Sequence, residues 1–574
     1  MAAIEVRSLY PEATKLTKVL MIGLDAAEPS LIEKWRDDLP NLSRIMREGT
    51  YGRMRSSDPP VSIPAWNCLC TGKNPGKIGT YDFIYRESGG WKIKFVNSTV
   101  VRARSLWKIL SMKGKRVVVI AVPSTFPPEE VNGVMVCGIP LPVDRGKPVG
   151  IYTYPSELGE EIDRLVGGYE YAYAFNLPKD FVVSDTSWSP PAQGDNMENF
   201  LLRTVQKELQ VAKHLMNSID WDFFMVVFRE LDLFGHVRWK NAGEPQSESS
   251  HSMKRFYTRM DEIVGELLGL VKDDTLVFVV SDHGFGPVQE RFFVNEFLQR
   301  IGMLKVKGTK RLQLRVAQNL KLGPRELRHF LLRLRLQWLA NLVPRKFQRM
   351  IRSIDQFQSN VGWIDWSRTK AYSYGGTGNA GRIFLNVKGR EPEGIVELGS
   401  EYEQTREFIT KKLQELTHPK TGARRVDAVF KREDIYSGEF IKEAPDLLFY
   451  LDGHRCVTSS RVGSRSLFMD ERLLSGTHRP YGIFMAYGNG VRKGASVGPT
   501  ICDVAPTVMH VMGLPVPDDM DGRPILDILE PDSEIFRRPV SYEKLLGATT
   551  EIFEWSPEEE KKVEEQLRGL GYLG

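Results

Sequence analysis

Two stretches decide how this chain reads: KVLMIGLD, residues 18–25, and VFVVSDHGFG, residues 277–286. Each is a near-continuous apolar run that ends on Asp25 or on the pair Asp282 and His283. Runs without polar alternation suit strands buried on both faces, as in a parallel sheet covered by helices. Similar runs occur at Val117 to Val122, Phe223 to Phe228, Leu447 to Tyr450 and Ile483 to Met485, separated by helical patterns. The expected fold is α/β, a doubly wound and mostly parallel central sheet flanked by helices. In such sheets ligands bind beyond the carboxyl ends of the strands, where Asp25 and Asp282 fall.

Further acidic, imidazole and hydroxyl groups stand at comparable places. Asp232 and His236 lie in ELDLFGH, Ser62 in PPVSIPAWN, and His478 in SGTHRP. Four-residue spacing puts Asp232 and His236 on one face of a helix, a turn apart, where they can grip one ion. Asp282 and His283 are adjacent, so both reach one site only if the strand has ended, and Gly284 with Gly286 supply that break. Read singly, each has an ordinary alternative: an exposed helix pair, a polar turn with an Asp cap, a turn residue at Asp25, a surface imidazole at His478. Ser62 precedes AWNCLCTG, read as the first turns of a helix, so it is expected as an N-cap; the same geometry directs helix N–H groups at a phosphate.

A serine hydroxyl is a poor nucleophile at neutral pH, and no base stands beside it in sequence. A divalent ion solves this by lowering the pKa of a coordinated oxygen, and a second ion roughly 4 Å away stabilises the leaving oxygen of an in-line displacement. Mixed imidazole and carboxylate ligation suits Zn²⁺, with Mn²⁺ or Fe²⁺ as alternatives.

Length and composition bound the rest. The 574 residues allow one large α/β domain with insertions, or two to three domains. With 41% hydrophobic and 26% charged residues the chain is ordinary for a globular protein, and a net charge of +5 does not by itself imply nucleic acid. Five scattered cysteines argue against a disulfide framework, and Cys68 with Cys70 read as buried structural residues. No apolar h-region is found near the N-terminus, so a cytoplasmic location is expected.

The organisation expected is a catalytic core over 1–303 and 367–550, a basic helical insertion over 304–366 and a helical tail over 551–574. From Lys305 to Arg352 the insertion holds fourteen Lys or Arg and one acid, Glu326. Its main amphipathic element is RELRHFLLRLRLQWLANLVPRKF, with Phe330, Leu334 and Trp338 at four-residue spacing. It reads as a solvated face, a lid toward an anionic substrate, or a surface for peripheral contact with anionic membrane; specific nucleic-acid recognition is not expected. The tail reads as a helix capped by Ser556, with Pro557 at N1 and Glu559 at N3.

Taken together these motifs resemble the alkaline phosphatase superfamily, in its type I phosphodiesterase and nucleotide pyrophosphatase branch, from about Lys18 to Leu526. The likeness rests on Asp25 after a strand, SIPAW, TGKNPGKIGTYDF, D-x-x-x-H, S-D-H-G, G-T-H and DVAPTVMHVMGLPVP. It implies two metal sites, Asp232, His236 and His478 on one ion, and Asp25, Asp282 and His283 on the other, which Ser62 approaches. It also implies attack of Ser62 on phosphorus to give a phosphoseryl intermediate that water releases. Threonine is usual at this position, and serine is a conservative departure. The related sulfatase motif needs Arg where this chain has Trp66, which disfavours a sulfatase. The substrate expected is a small phosphate ester, most readily a diester. Phosphomonoesterase, phosphoryl-transferase or mutase activity on the same site are the alternatives, with a non-catalytic protein using the basic insertion as a rival. Monoesterases of the superfamily add a cation near the phosphate, for which Lys73 and Arg229 are the candidates here.

Overall fold

Alternate residues of the Lys18–Leu24 strand enter two different cores. Leu20, Ile22 and Leu24 pack with one cluster of apolar side chains, and Val19 and Met21 with another. Both faces are therefore covered, which explains why the strand is apolar without alternation. Truncating such a fully buried Leu or Ile to Ala costs about 2–5 kcal/mol. The computed structural model describes residues 17–170, 197–308 and 361–569, with short breaks at 88, 145–146, 241, 243–246, 376–377, 420, 463, 465, 472–473 and 546–552.

The strand is central in a nine-stranded sheet. Phe223–Phe228 lies parallel on one side and Thr275–Val280 parallel on the other, with Leu24 opposite Phe228 and Gly23 opposite Val280. Val117–Ile120 and Gly133–Val136 extend the parallel array. Tyr481–Tyr487 runs antiparallel to Thr275–Val280, Thr50–Arg55 returns to the common direction beside it, and Thr153–Tyr154 closes the far edge antiparallel. The sheet is mostly parallel and flanked by helices, as expected. Its register brings the ends of the Asp25, Phe228 and Val280 strands level, so the segments leaving them share one rim.

One strand belongs elsewhere. Leu447–Leu451, read with the central sheet from its apolar run, lies in a four-stranded antiparallel sheet with Ala371–Tyr372, Ala380–Leu385 and Val426–Lys431. All five of its residues are buried, so a central antiparallel strand here carries the same pattern as a parallel one. The Ser400–Gln414 helix supplies Tyr402, Ile409 and Leu413 to the core of this second sheet.

The two ends of the expected insertion meet on that same core. Leu304, Ile364 and Trp366 are buried in it, Val306 bridges Ile364, and Asp365 N–H donates to Lys305 O at 2.8 Å. The chain thus leaves and returns at one place; the amphipathic segment with Phe330, Leu334 and Trp338 lies outside the described residues. The tail helix, Pro557–Gly569, carries its capping box: Glu559 N–H donates to Ser556 Oγ at 3.3 Å and Ser556 N–H to Glu559 Oε2 at 2.9 Å. Val563 and Leu567 fasten it to the larger core. All five cysteines are free thiols, and Cys68 and Cys70 are core residues of the Ser62–Thr71 helix. No described helix is long and apolar enough to cross a membrane.

Candidate active site

The rim of the sheet collects all seven residues singled out from the sequence. Asp25 follows its strand directly, and its N–H donates to Phe228 O at 3.0 Å. Asp232 and His236 lie on the helix Glu230–Arg238, which starts two residues after the neighbouring strand. Ser62 opens the helix Ser62–Thr71. Asp282 and His283 follow Thr275–Val280, and His478 comes from the short strand Gly476–Arg479.

These side chains form two clusters, in each of which the potential ligand atoms lie within 4.8 Å of one another. In the first, Asp232 Oδ1 is 3.5 Å from His236 Nε2 and 3.2 Å from His478 Nε2, and the two imidazole nitrogens are 3.2 Å apart. In the second, His283 Nε2 is 3.2 Å from Asp282 Oδ2 and 3.7 Å from Asp25 Oδ1. The clusters adjoin, because the rings of His283 and His478 stack with centroids 3.9 Å apart. Ser62 Oγ is 3.2 Å from His283 Nε2.

The far nitrogen of each ring fixes its tautomer. Nδ1 of His236 meets Gly476 O at 3.1 Å, that of His283 meets Gly284 O at 3.1 Å, and that of His478 meets Pro60 O at 2.9 Å. A carbonyl only accepts, so Nδ1 carries a proton in each ring, and in His236 and His283, which burial keeps neutral, Nε2 turns a lone pair toward the clusters. This is the arrangement that prepares an imidazole for a metal.

Burial without compensation is the second sign. Asp25 Oδ1 and Asp282 Oδ2 are buried with no hydrogen-bond donor. Burial pushes the Asp25 carboxyl up to about 6, with the Asp232 charge adding to it and Arg229 and the Trp66 N–H opposing. Burial and the neighbouring Asp25 and Asp232 charges drive Asp282 well above the ordinary carboxylate range. Asp232 goes the other way: burial raises it, but the imidazoles of His236, His478 and His283 outweigh that and hold it below its usual value. Burial lowers His236 to about 4 and His283 well below its ordinary value, so both are neutral at pH 7. Neutral imidazoles beside carboxylates that repel one another are a donor set a divalent cation would satisfy, so these residues fit the ions the motifs imply.

Several local expectations are corrected. Ser62 is the first helical residue rather than the N-cap; the cap is Val61, whose apolar side chain makes no capping hydrogen bond, so the serine hydroxyl is left for the site. The strand before Asp282 ends at Val280, and Gly284 and Gly286 instead open a short strand paired with Gly476–Arg479. A Cβ at Gly284 would lie 2.1 Å from Tyr481 O, and one at Gly286 2.4 Å from Arg479 Nε, so these glycines serve close approach. His478 is accordingly a strand residue opposite Phe285, not a loop residue. Of the two candidate cations, Lys73 is paired with Asp519. Arg229 is buried, its Nε 3.5 Å from Asp25 Oδ2.

Other groups around the site carried no sequence signal. Ser281 Oγ donates to His283 O at 2.6 Å and accepts from Ala27 N–H at 2.9 Å, tying the two strand ends together. Asn379, fully buried, donates to His478 O at 2.8 Å. Glu230, pushed up to about 7 by burial, sits beside the buried Glu208.

The family model for type I phosphodiesterase / nucleotide pyrophosphatase matches residues 19–478, which spans every residue of both clusters. The chain belongs to that family. Membership supports a phosphodiesterase-type hydrolase, in a family that is metal-dependent. No curated protein matches the sequence. Among solved structures, human ectonucleotide pyrophosphatase / phosphodiesterase 5 is similar at 12% identity and a TM-score of 0.48, over 89% of this chain and 99% of that one. The murine protein is similar at 13% identity and 0.47, over 89% and 100%, and its inactive variant in complex with AMP at 13% and 0.47, over 90% and 100%.

Proposed function

We propose that this protein is a two-metal phosphodiesterase in which Ser62 attacks phosphorus. The observation that carries the reading is the convergence of five separated chain segments on two adjoining clusters, with Ser62 Oγ 3.2 Å from His283 Nε2. Asp232, His236 and His478 would hold one divalent ion and Asp25, Asp282 and His283 the other, with Zn²⁺ best suited to the mixed N and O donors and Mn²⁺ or Fe²⁺ as alternatives. Bound there, the ions supply Lewis-acid activation of the serine hydroxyl and neutralise charge on the phosphoryl oxygens.

The chain's own part is positioning. Ser62 heads a ten-residue helix whose first amides, Ser62 and Ile63, have no intrahelical partner, so a phosphate in front of the hydroxyl meets N–H groups and the positive dipole end. Ser62 Oγ forms a bond to phosphorus as one ester oxygen departs and takes up a proton, leaving serine esterified to a phosphate that still carries the other substituent, and water then cleaves the Oγ–P bond with serine as the leaving group and the phosphate monoester as product. Burial of Ser62, Asp25, Asp282 and His283 excludes bulk water and strengthens every charge interaction there.

The test compares hydrolysis of bis-p-nitrophenyl phosphate, p-nitrophenyl phosphate and p-nitrophenyl sulfate by metal-loaded protein, with Ser62→Ala and chelated controls. Diester cleavage that disappears in both controls is the expected result. Monoester preference would move the assignment to a phosphomonoesterase, and diester cleavage undiminished in Ser62→Ala would overturn the serine mechanism.

A further inference from the structure

The two oxygens of Asp25 stand in different surroundings. Oδ2 accepts the indole N–H of Trp66 at 3.0 Å and lies 3.5 Å from Arg229 Nε, whereas Oδ1 is buried without a donor and faces His283 Nε2 at 3.7 Å. Turning the carboxylate part-way about its axis would stretch the indole bond, so Trp66 helps to set its plane and with it the direction of the oxygen that the indole does not hold. The ring that does this is fully buried. Its space comes from the interior of the Asp25 strand itself: a Cβ at Gly23 would lie 2.6 Å from Trp66 Cη2 and 2.8 Å from Val227 Cγ2. A glycine weakens a strand interior, and here it admits the edge of the indole two residues before Asp25.

Trp66 is also one helical turn beyond Ser62 on the same helix, so the hydrogen bond fixes the Ser62 helix to the Asp25 strand. An indole N–H is a donor without charge. It holds that oxygen without adding to the positive charge that Arg229 Nε already brings within 3.5 Å of it.

We propose that Trp66 is a positioning residue for the Asp25 cluster: it pins Asp25 Oδ2 so that Oδ1 points at the ion shared with Asp282 and His283, and couples that ion's place to the Ser62 helix. The inference rests on the proposed reading of that cluster as a metal site. Partners that orient a ligating side chain in this way typically contribute about 10–100-fold to metal affinity.

The experiment titrates Zn²⁺ against chelator-stripped full-length protein with a competing chromophoric chelator, for the parent, Trp66→Phe and Trp66→benzothienylalanine. The last keeps the ring outline and replaces only the N–H by sulfur, so it remains informative if Trp66→Phe does not fold. The expected result is that one of two ions binds about 10–100-fold more weakly while the other is unchanged, and that excess Zn²⁺ restores turnover of bis-p-nitrophenyl phosphate. Parent-like affinity for both ions in the benzothienylalanine protein would overturn the proposal. So would equal weakening of both ions together with a lowered melting temperature of the stripped protein, which is a packing role alone. Asp25→Asn is titrated in parallel, and if it binds both ions as the parent does, the cluster is no metal site and the failure lies with the functional reading rather than with Trp66.

Discussion

The Asp232 cluster holds one carboxylate between two imidazoles, and the Asp25 cluster holds two carboxylates against one. The first has the lesser conflict, because its single carboxylate faces imidazoles rather than a second carboxylate and is held below its usual value. The second has the greater, because burial and mutual repulsion disfavour both of its charges. Adjoining sites built from the same residue types therefore differ in what a cation would do for them: in one it would meet a single buried carboxylate among imidazoles, and in the other it would relieve the repulsion between two buried carboxylates.

The largest effects should come from deleting one carboxylate of each cluster. Asp282→Asn and Asp232→Asn should each lose one ion by elemental analysis and lower kcat/KM for a diester roughly a thousandfold. In chelator-stripped protein their stability effects should have opposite signs near pH 7. A carboxyl whose folded pKa is raised destabilises the fold once ionised, so Asp282→Asn should stabilise; Asp232, held below its ordinary value, contributes stability above that value, so Asp232→Asn should destabilise. Denaturant midpoints that move in the same direction would dissolve the contrast.

Acid should separate the two ions. Ligation at the Asp25 cluster competes with a proton at about pH 6, so affinity there should fall about tenfold per pH unit below that value. His236 takes its proton only near pH 4, so the other ion should persist further down. Equilibrium dialysis from above about pH 6 down to below about pH 4 should show stepwise release; simultaneous loss would count against two unequal sites. The same shifts bear on the stripped protein. Between Asp25's unfolded value of 3.8 and about 6 the native state holds an extra proton, so that contribution is lost as pH rises through the window, and Asp25→Asn should gain stability relative to the parent across it.

A smaller effect should distinguish the scaffolds. A Cβ at Gly476 would lie 2.5 Å from Phe285 Cε1 and from Trp239 Cβ, so Gly476→Ala should cost about 1–3 kcal/mol. It should weaken the ion at His236 and His478 while leaving the Asp25 cluster unchanged in a competitive titration. Lys73→Ala should do least. Its ammonium is paired with Asp519 rather than directed at the site, so diester turnover should stay within about twofold of the parent.

The six residues of the two clusters, and Ser62 beside them, could be named from sequence because their chemistry is local. Asp25 and Asp282 end apolar strands, and Asp232 with His236 shows helical spacing. What surrounds them could not be read in this way. Ser62 looked like an N-cap because proline and helix follow it, but capping depends on backbone angles, and Val61 has the extended ones. His478 looked like a loop residue because four residues make a strand only when a partner strand is beside them. The run Leu447 to Tyr450 reads as a strand of the central sheet but lies in the smaller one, because burial on both faces looks alike in either. Asn379, Ser281 and Glu208 offered nothing, since a lone polar residue acquires meaning only from what it meets.

By itself the sequence determined that the sheet is α/β and mostly parallel, and which side chains stand at the ends of its strands, because hydrophobic period and residue type are properties of short segments. The grouping of His478 with Asp232 and of Asp282 with Asp25 follows from the family resemblance, and only the tertiary structure decided that the two groups adjoin through the stacked rings of His283 and His478 and that Trp66 holds one oxygen of Asp25. Those contacts join segments far apart in the chain, and their distances are fixed by strand register and helix packing, which no local pattern encodes.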